Sequence, residues 1–441
     1  IITSGRDLTL YNPASPLRVA AQQVGNVVNN GSGPQAGDIQ IGGPGSLQVL
    51  AGRNLDLGTG TNNADGTGTG LTSIGNTRNP YLAFEGADLV VGAGIGASTG
   101  LATSQLDIPG FVARYVLTAE GGKYLKEIAP GVVFEDQPDD EQARLAIEVF
   151  YRILRDAGRG YGKTGNYKSA KAAIRTLFGE DFVWDGDIRT RARDIRTTNG
   201  GDVSIIAPGG GLALASTTLG NVLSPPGIIT ASGGNISIFA NNDISIGIGR
   251  IFTLRGGNEI LWSSKGDIAA GSSSKTVKSA PPTRVLIDPQ SAAVQTDLAG
   301  LATGGGIGVL ATVAGVEAGD VDLVAPEGTV DAGDAGIRVS GNLNIAANQV
   351  LNAGNISVNG SSAGTPAPVS VAPNVGGLAT ASNSSAAAAA TSNEPSAPQN
   401  RPESAEVAET LSIITVEVVG YGGSAEEDDE DGKDEEKNQQ Q

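Results

Sequence analysis

The 441-residue chain contains no cysteine, no histidine and no methionine. Without cysteine it can form neither a disulfide nor a thiolate nucleophile, and without histidine it lacks imidazole as a general base. The two absences together also exclude a soft-metal site of the zinc type. They do not fix the compartment, because a long stack of β-strands can be stable outside the cell without disulfides.

Aromatic residues make up only 4% of the chain, and 29 Lys and Arg face 47 Asp and Glu, for a net charge of −18. Binding a phosphate backbone requires clustered Lys and Arg, so this balance argues against a nucleic-acid partner. No stretch approaches the roughly 20 apolar residues of a transmembrane helix. The chain begins at Ile1 without a basic segment followed by an apolar one, so we expect any export signal to lie upstream.

Glycine is abundant instead, at 65 of 441 residues, or about twice the usual share of roughly 7%. A short phrase recurs: glycine, then Asp or Asn, then two aliphatic residues that flank one other residue, as in Gly201-Asp202-Val203-Ser204-Ile205. Copies lie at residues 37–41, 201–205, 234–238, 319–323, 341–345 and 354–358. Gly and Asp or Asn tolerate positive φ, while apolar residues at period two line one face of a strand. Each copy predicts a turn and a short strand whose aliphatic pair points inward.

The spacing of these phrases predicts the architecture. The steps are 23 residues from Asn235 to Asn258, 24 from Asp243 to Asp267 and 22 from Asp320 to Asn342. Such periods are typical of solenoids, whose coils bury one face by stacking on their neighbours. We therefore predict an all-β fold, a parallel β-helix. A β-sandwich with regularly spaced strands is the alternative, but it gives no reason for one phrase to return at one coil length.

Residues 137–180 break the pattern and predict a small α-helical hairpin insertion. Pro138 followed by three acids starts a helix. An apolar stripe at helical spacing follows at Ala143, Ala146, Ile147, Phe150, Ile153 and Leu154. A second helix is predicted from about Tyr167, with Ala170, Ala173, Ile174, Leu177 and Phe178 buried. We expect a flexible connection at 158–162, and a hairpin that projects from one edge of the solenoid, where insertions are tolerated.

Basic residues concentrate in the same region. Between Arg144 and Arg196 there are 12 Lys and Arg against 7 acids, a local charge of +5 on an acidic chain. One interpretation is a docking surface for an acidic glycan or partner. The other is a solvated helical face with exposed turn positions.

Two further features allow a ligand or a reaction to be considered. The turn at 58–66, rich in Gly, Thr and Asn, could hold calcium, but it lacks the bidentate Glu and glycine-rich repeat of known calcium loops, and a plain solvated turn is the alternative. Asp331 with Asp334, or Asp320 with Asp322, could supply the two carboxyls of a polysaccharide lyase or hydrolase. Acids are expected in turns, however, so we predict no catalytic, metal or cofactor-binding residue and no enzyme.

The chain is expected to fall into six regions. They are irregular β-solenoid coils at 1–136, the helical hairpin at 137–180, regular coils at 181–360, an Ala/Ser/Pro-rich linker at 361–410, a β-strand at 411–422 and an acidic disordered tail at 423–441. The linker buries too little apolar area to fold. The strand at 411–419 is apolar, so we expect it to pair with an exposed sheet edge.

Several phrases in the same order resemble the C-terminal region of the filamentous haemagglutinin family of exoproteins. They lie at 153–159, 252–268, 279–282 and 319–351, with a weaker echo at 415–422. The resemblance covers roughly residues 140 to 360.

The resemblance implies a large surface or secreted protein of a Gram-negative bacterium, which forms a right-handed β-helix and serves in adhesion. It also implies two-partner secretion through a dedicated outer-membrane transporter, and a glycan or a receptor on a host or bacterial surface as possible ligand. The secretion domain of the family is missing from this sequence, since Asn12-Pro13-Ala14 and Asn79-Pro80-Tyr81 do not fit its Asn-Pro-x-Gly motifs. The cysteine pair by which some relatives are retained is missing too.

Overall fold

The structure, a computed structural model, describes residues 1–10, 39–58, 68–76, 81–96, 99–180, 184–191, 193–215, 225–272, 284–287, 294–297, 304–311 and 315–366. The predictions for the turn at 58–66, beyond residue 58, and for 367–441 lie outside the described residues. The strands are β1 (Ile2–Ser4), β2 (Leu8–Thr9), β3 (Ile39–Ile41), β4 (Ser46–Ala51), β5 (Leu55–Asp56), β6 (Gly68–Ser73), β7 (Asp88–Ala93), β8 (Ile188–Arg189), β9 (Arg193–Thr197), β10 (Val203–Ala207), β11 (Leu212–Ala215), β12 (Gly227–Thr230), β13 (Ile236–Ala240), β14 (Ile244–Gly247), β15 (Arg250–Thr253), β16 (Glu259–Ser263), β17 (Ile268–Ala269), β18 (Arg284–Ile287), β19 (Val294–Asp297), β20 (Gly306–Val309), β21 (Val321–Asp331), β22 (Ile337–Val339), β23 (Leu343–Leu351), β24 (Ile356–Val358) and β25 (Ser362–Ala363).

These strands form a parallel β-helix with three strand positions in each coil, as the recurring phrase predicts. The first position runs through β1, β4, β7, β10, β13, β16 and the start of β21, and the second through β2, β5, β8, β11, β14, β17 and the end of β21. The third position runs through β3, β6, β9, β12, β15, β20, β22 and β24. Neighbouring coils pair in parallel, whereas β18 and β19 form an antiparallel hairpin within the long connection between β17 and β20.

The register confirms the predicted coil lengths. Ile236 pairs with Glu259 23 residues later, Ile244 with Ile268 after 24, and Val321 with Leu343 after 22. The predicted inward pairs all lie in or against one apolar column, namely Ile236 and Ile238, Val321 and Leu323, Leu343 and Ile345, and Ile356 and Val358. The column is continuous along the described coils, so each coil buries its apolar face against the next.

The Asp and Asn of the phrase form a ladder along one corner of the coil. Backbone amides of Asn235, Asn258, Asp320 and Asn342 each donate to the side-chain oxygen of the equivalent residue one coil earlier, at 2.7 to 3.0 Å, starting from Asp202. The glycine before the ladder residue has φ of +88° at Gly201 and +91° at Gly234, which an L side chain rarely adopts. The phrase therefore encodes both the turn and a coil-to-coil hydrogen bond.

The helical segment begins earlier than predicted. The segment contains helices α1 (Ile108–Phe111), α2 (Ala119–Ile128), α3 (Asp139–Thr164) and α4 (Lys168–Phe178). Shorter helical turns lie at Leu101–Thr103, Val112–Val116 and Phe134–Asp136. The predicted boundary at 137 is thus wrong, because 101–128 is helical rather than part of an irregular coil. The segment 101–178 leaves the coil after β7 and returns to it before β8. We call it the helical cover.

The helical cover lies flat on the outer side of the first strand position, so the prediction that it projects from one edge is wrong. The predicted stripes of α3 and α4 are buried, as expected, but against the sheet. Phe150 and Phe178 surround Phe239 of β13, with ring centroids 5.3 and 5.0 Å away. Outward side chains such as Trp262 are therefore buried as well. The sheet has apolar layers on both of its faces here.

The predicted flexible connection at 158–162 is also wrong. Helix α3 continues to Thr164, and the chain turns at Gly165, whose φ is +63°. Gly158 has a packing role, since a Cβ atom there would lie 2.5 Å from Cγ2 of Val324. The glycine allows the helix backbone to approach the sheet closely.

One acidic side chain lies inside the coil. Glu259 shares the inward column with Ile236 and Val321 and is 1% exposed, and among the described residues neither carboxyl oxygen accepts a hydrogen bond of good geometry. Burial raises the pKa of Glu259 well above its usual value, although the backbone of Thr253 lowers it somewhat. The neutral acid is therefore the form that this site favours.

Glu259→Gln should increase the free energy of unfolding relative to the unchanged chain, and this increase should be larger at neutral and alkaline pH than at acidic pH. A raised pKa in the folded state means that the protein takes up a proton when it folds. The free energy of unfolding of the unchanged chain is therefore highest below about pH 4, and it falls as the pH rises through the folded-state pKa of Glu259. Denaturant melts of both proteins at pH 4 and pH 8 measure this. A difference in midpoint that does not grow with pH would contradict the buried neutral acid.

Candidate functional site

Asp320 and Asp322, one predicted acid pair, meet at the same arginine. Arg159 of α3 donates to both oxygens of Asp322 at 2.7 to 3.1 Å and reaches Asp320 at 3.2 Å. Asp322 is 1% exposed, and its burial raises its pKa against the opposing effect of Arg159. Asp320 also accepts the ladder hydrogen bonds of Asn342. Both carboxyls thus hold the helical cover on the sheet, so they are not free to act as acid and base.

The second predicted pair, Asp331 and Asp334, lies at a turn, and Asp331 accepts hydrogen bonds that stabilise that turn. Asp331 accepts hydrogen bonds from the backbone of Gly333 at 2.8 Å and from the side chain of Asn352 at 2.7 Å. Asp334 is exposed at the same turn, and its backbone amide donates to Gly271. Both residues therefore fit the alternative interpretation, that they are structural acids at a turn.

The arginines of α3 account for much of the predicted basic cluster, and they point at acids of the protein itself. Arg144 pairs with Glu141 and with Asp88 of β7, the latter at 3.0 Å. Arg152 and Arg155 both pair with Glu127 of α2, at 2.9 and 2.6 Å. Neither earlier interpretation fits these side chains, since they are neither a docking surface nor a solvated face. They join the helices to each other and to the sheet.

Beneath α3, Glu148 is buried beside two half-buried acids, Asp88 and Asp202. Glu148 is 1% exposed and accepts a hydrogen bond from Ser204, while its other oxygen has no hydrogen-bond partner among the described residues. Burial and the nearby Asp202 raise the pKa of Glu148, and the same two causes raise the pKa of Asp88 to about 7. Arg144 offsets only part of this repulsion. The raised pKa values of Glu148 and Asp88, like that of Glu259, mean that the protein takes up protons when it folds.

A groove of about 190 Å³ lies between α4 and the turns that follow the first strand position of three successive coils. Its lining includes Lys171 and Arg175 of α4, Lys265 after β16, Asn241 after β13, and Glu327 in the bend of β21. We call it the α4 groove. Lys171 pairs with Glu327 at 3.5 Å, whereas Arg175 and Lys265 form no ion pair with any described residue. Arg175 of the predicted basic cluster and Lys265 outside it therefore present unpaired positive charge beside this cavity.

Sequence reasoning missed the partners of the helical cover. Tyr151 donates a hydrogen bond from its buried hydroxyl to the backbone oxygen of Ile205 at 2.6 Å, which fixes α3 over β10. Lys265, the groove cation that lies outside the 144–196 cluster, also went unnoticed. Only the coil-to-coil stacking brings it near α4, although it is 90 residues from Arg175 in the chain.

Across the described ranges, no group of three or more acidic side chains is arranged to hold a metal ion. Among the same residues, no helix is long and apolar enough to cross a membrane.

Among the described residues, the coils and the helical cover form a β-helical surface whose candidate acid pairs are bound by an arginine or held at a turn. Residues 256–367 match a family model described as filamentous haemagglutinin family outer membrane protein. The match confirms the resemblance seen in the sequence for this part of the chain, which holds the last described coils. No curated protein and no solved structure matches the chain. The description of the matched family is consistent with an adhesin, rather than an enzyme, at the cell surface of a Gram-negative bacterium.

Proposed function

We propose that this chain is a structural and adhesive module of a large filamentous adhesin, exported by two-partner secretion and either held at the cell surface or released. The observation that supports this most is the match of residues 256–367 to a haemagglutinin family model, over coils that form a continuous parallel β-helix. Stacked coils separate a binding surface from the cell by about 4.8 Å for each coil. The outer-membrane transporter of that route would be its partner during export.

Two measurements test the proposal. Inactivating the outer-membrane transporter should remove the chain from intact cells and from the medium, as detected with an antibody against residues 1–366. Beads coated with the full chain should adhere to host or bacterial surfaces several times more than beads coated with heat-denatured chain. Export that continues without the transporter would refute the route, and equal adhesion of the two kinds of bead would refute the adhesive role.

The alternative is a carbohydrate-active enzyme, and the placement of the acid pairs gives it no support. Incubation with pectin, alginate, glucans and glycosaminoglycans should release no oligosaccharide. Turnover that disappears in Asp331→Asn or Asp334→Asn would instead establish catalysis at that turn. Asp334→Asn is the sharper variant, because the Asp334 side chain is exposed and its change should leave the fold intact.

A further inference from the structure

We propose that the α4 groove binds a carboxylated polysaccharide, one that carries uronate sugars. The inference rests on the proposed adhesive function, and it names the ligand class and the residues. Three observations support it: the cavity itself, the cations that line it, and the position of these cations on a chain whose net charge is −18.

The positive side chains converge from two parts of the fold. Lys171 and Arg175 are four residues apart on α4, so they share one face of the helix. Lys265 enters from the turn after β16. Because Arg175 and Lys265 form no ion pair with a described residue, both can bind an external anion without breaking an existing contact. The planar guanidinium of Arg175 suits a carboxylate, which it can bind through two parallel hydrogen bonds.

The rest of the lining suits a sugar, which has both apolar C–H faces and hydroxyl edges. Ile174 and Pro326 provide apolar surface above the buried Trp262. Asn241 and Ser264 add polar atoms, and within the described part of the chain the one side-chain hydrogen bond of Asn241 is long, at 3.5 Å to Asn242. A few polar groups on a partly apolar floor are the usual composition of a small-molecule site.

Charge makes the site selective. The chain carries −18 overall, which repels a polyanion, so an acidic glycan can be held only where cations cluster. Glu180 and Glu327 also line the groove and moderate its charge. A single site should therefore bind weakly and in a salt-dependent way, and many copies on a surface would strengthen attachment through avidity.

The test measures binding of the full 441-residue chain to polygalacturonate, with dextran sulfate and neutral dextran as comparison polymers, by calorimetry at low and high salt. The variant is Arg175→Gln with Lys265→Gln. Its matched control is Lys163→Gln with Lys168→Gln, which removes the same charge from exposed positions outside the groove lining. Circular dichroism and melting show that each variant folds.

We expect polygalacturonate to bind the unchanged chain and the control alike, and the groove variant to bind at least about tenfold more weakly, since two charge-assisted contacts are lost. Glu180→Gln should strengthen binding. Equal binding by groove variant and control would overturn the proposal, as would binding of dextran sulfate alone, binding that high salt leaves unchanged, or no binding at all. If beads coated with the groove variant adhere as well as beads coated with the unchanged chain, the α4 groove is not the adhesive site, but the adhesive function stands. Groove-dependent binding without bead adhesion would refute the adhesive function only.

Discussion

A chain in which residues 96–184 are replaced by a short Gly/Ser bridge should keep its β-sheet signal but associate and precipitate. The bridge is sterically feasible, because a Cβ atom at Gly94 would lie 2.2 Å from the backbone oxygen of Asp185, which places the two ends of the excised segment side by side. The inward column does not involve the helical cover, so the coils retain their own core.

The reason for association is the outward apolar surface that the deletion uncovers. Ile206, Phe239, Ile260, Trp262 and Val324 are each at most 4% exposed beneath the helical cover. Uncovering one such side chain costs about 1.5 to 3 kcal/mol, and together they form a contiguous apolar patch of the kind that drives aggregation. Removing a hairpin that projected into solvent would expose no such patch, whereas removing the helical cover exposes all of it.

Light scattering and gel filtration of the deleted chain measure the effect, with circular dichroism as the check on the coils. The same deletion with Phe239→Ser, Ile260→Ser and Trp262→Ser should be more soluble, because the patch is then polar. A milder version, Phe150→Ala in the intact chain, should lower the free energy of unfolding by about 3 to 5 kcal/mol, as truncation of a buried aromatic ring does. A deleted chain that stays monomeric without the serines would show that the helical cover is not needed to shield the sheet.

The coils could be predicted from the sequence because their determinants are local. In residues 234–238 the glycine sets the turn, Asn235 sets the ladder, and Ile236 and Ile238 set the inward face, all within five residues. Repetition at one period then gives the register. Each of these signals is independent of residues far away in the chain.

The helical cover could be predicted only as helices, because its position depends on contacts across the chain. A signal for the contact does exist. Ile206, Phe239, Trp262 and Val324 occupy the same outward position in successive coils, where an exposed sheet would carry polar residues. This outward apolar stripe indicates that something covers the sheet, and the apolar stripe of α3 is the surface that matches it.

The candidate acids show the same limit. Asp322 was identified correctly as an outward side chain, since it lies between Val321 and Leu323. Its partner could not be identified, because Arg159 lies 163 residues away and reaches it only when α3 lies across the sheet. Charge counted along the sequence allows either a docking surface or a solvated helical face for Arg159, whereas in the fold Arg159 pairs with acids of the sheet.

Ile345→Asp should destabilise the protein by several kcal/mol, whereas Ser357→Asp should change little. Ile345 is 5% exposed in the inward column, so an aspartate there would be a carboxylate without a partner in an apolar interior. Ser357 points outward from β24 and is exposed. Asn344 is a poorer control than its outward position in β23 implies, because it lies beneath α3, with its side-chain nitrogen 3.6 Å from the Cβ position of Gly158.

Glu259 shows how the coil tolerates an inward acid, and this adds a pH dependence to the prediction. An aspartate at 345 should escape part of its cost by taking up a proton, so the loss of stability should be smaller at pH 4 than at pH 8. Denaturant melts of Ile345→Asp and Ser357→Asp at both pH values measure this directly. Equal effects of the two substitutions would refute the inward register of β23, and equal losses at both pH values would refute protonation as the way in which the core accommodates a carboxyl group.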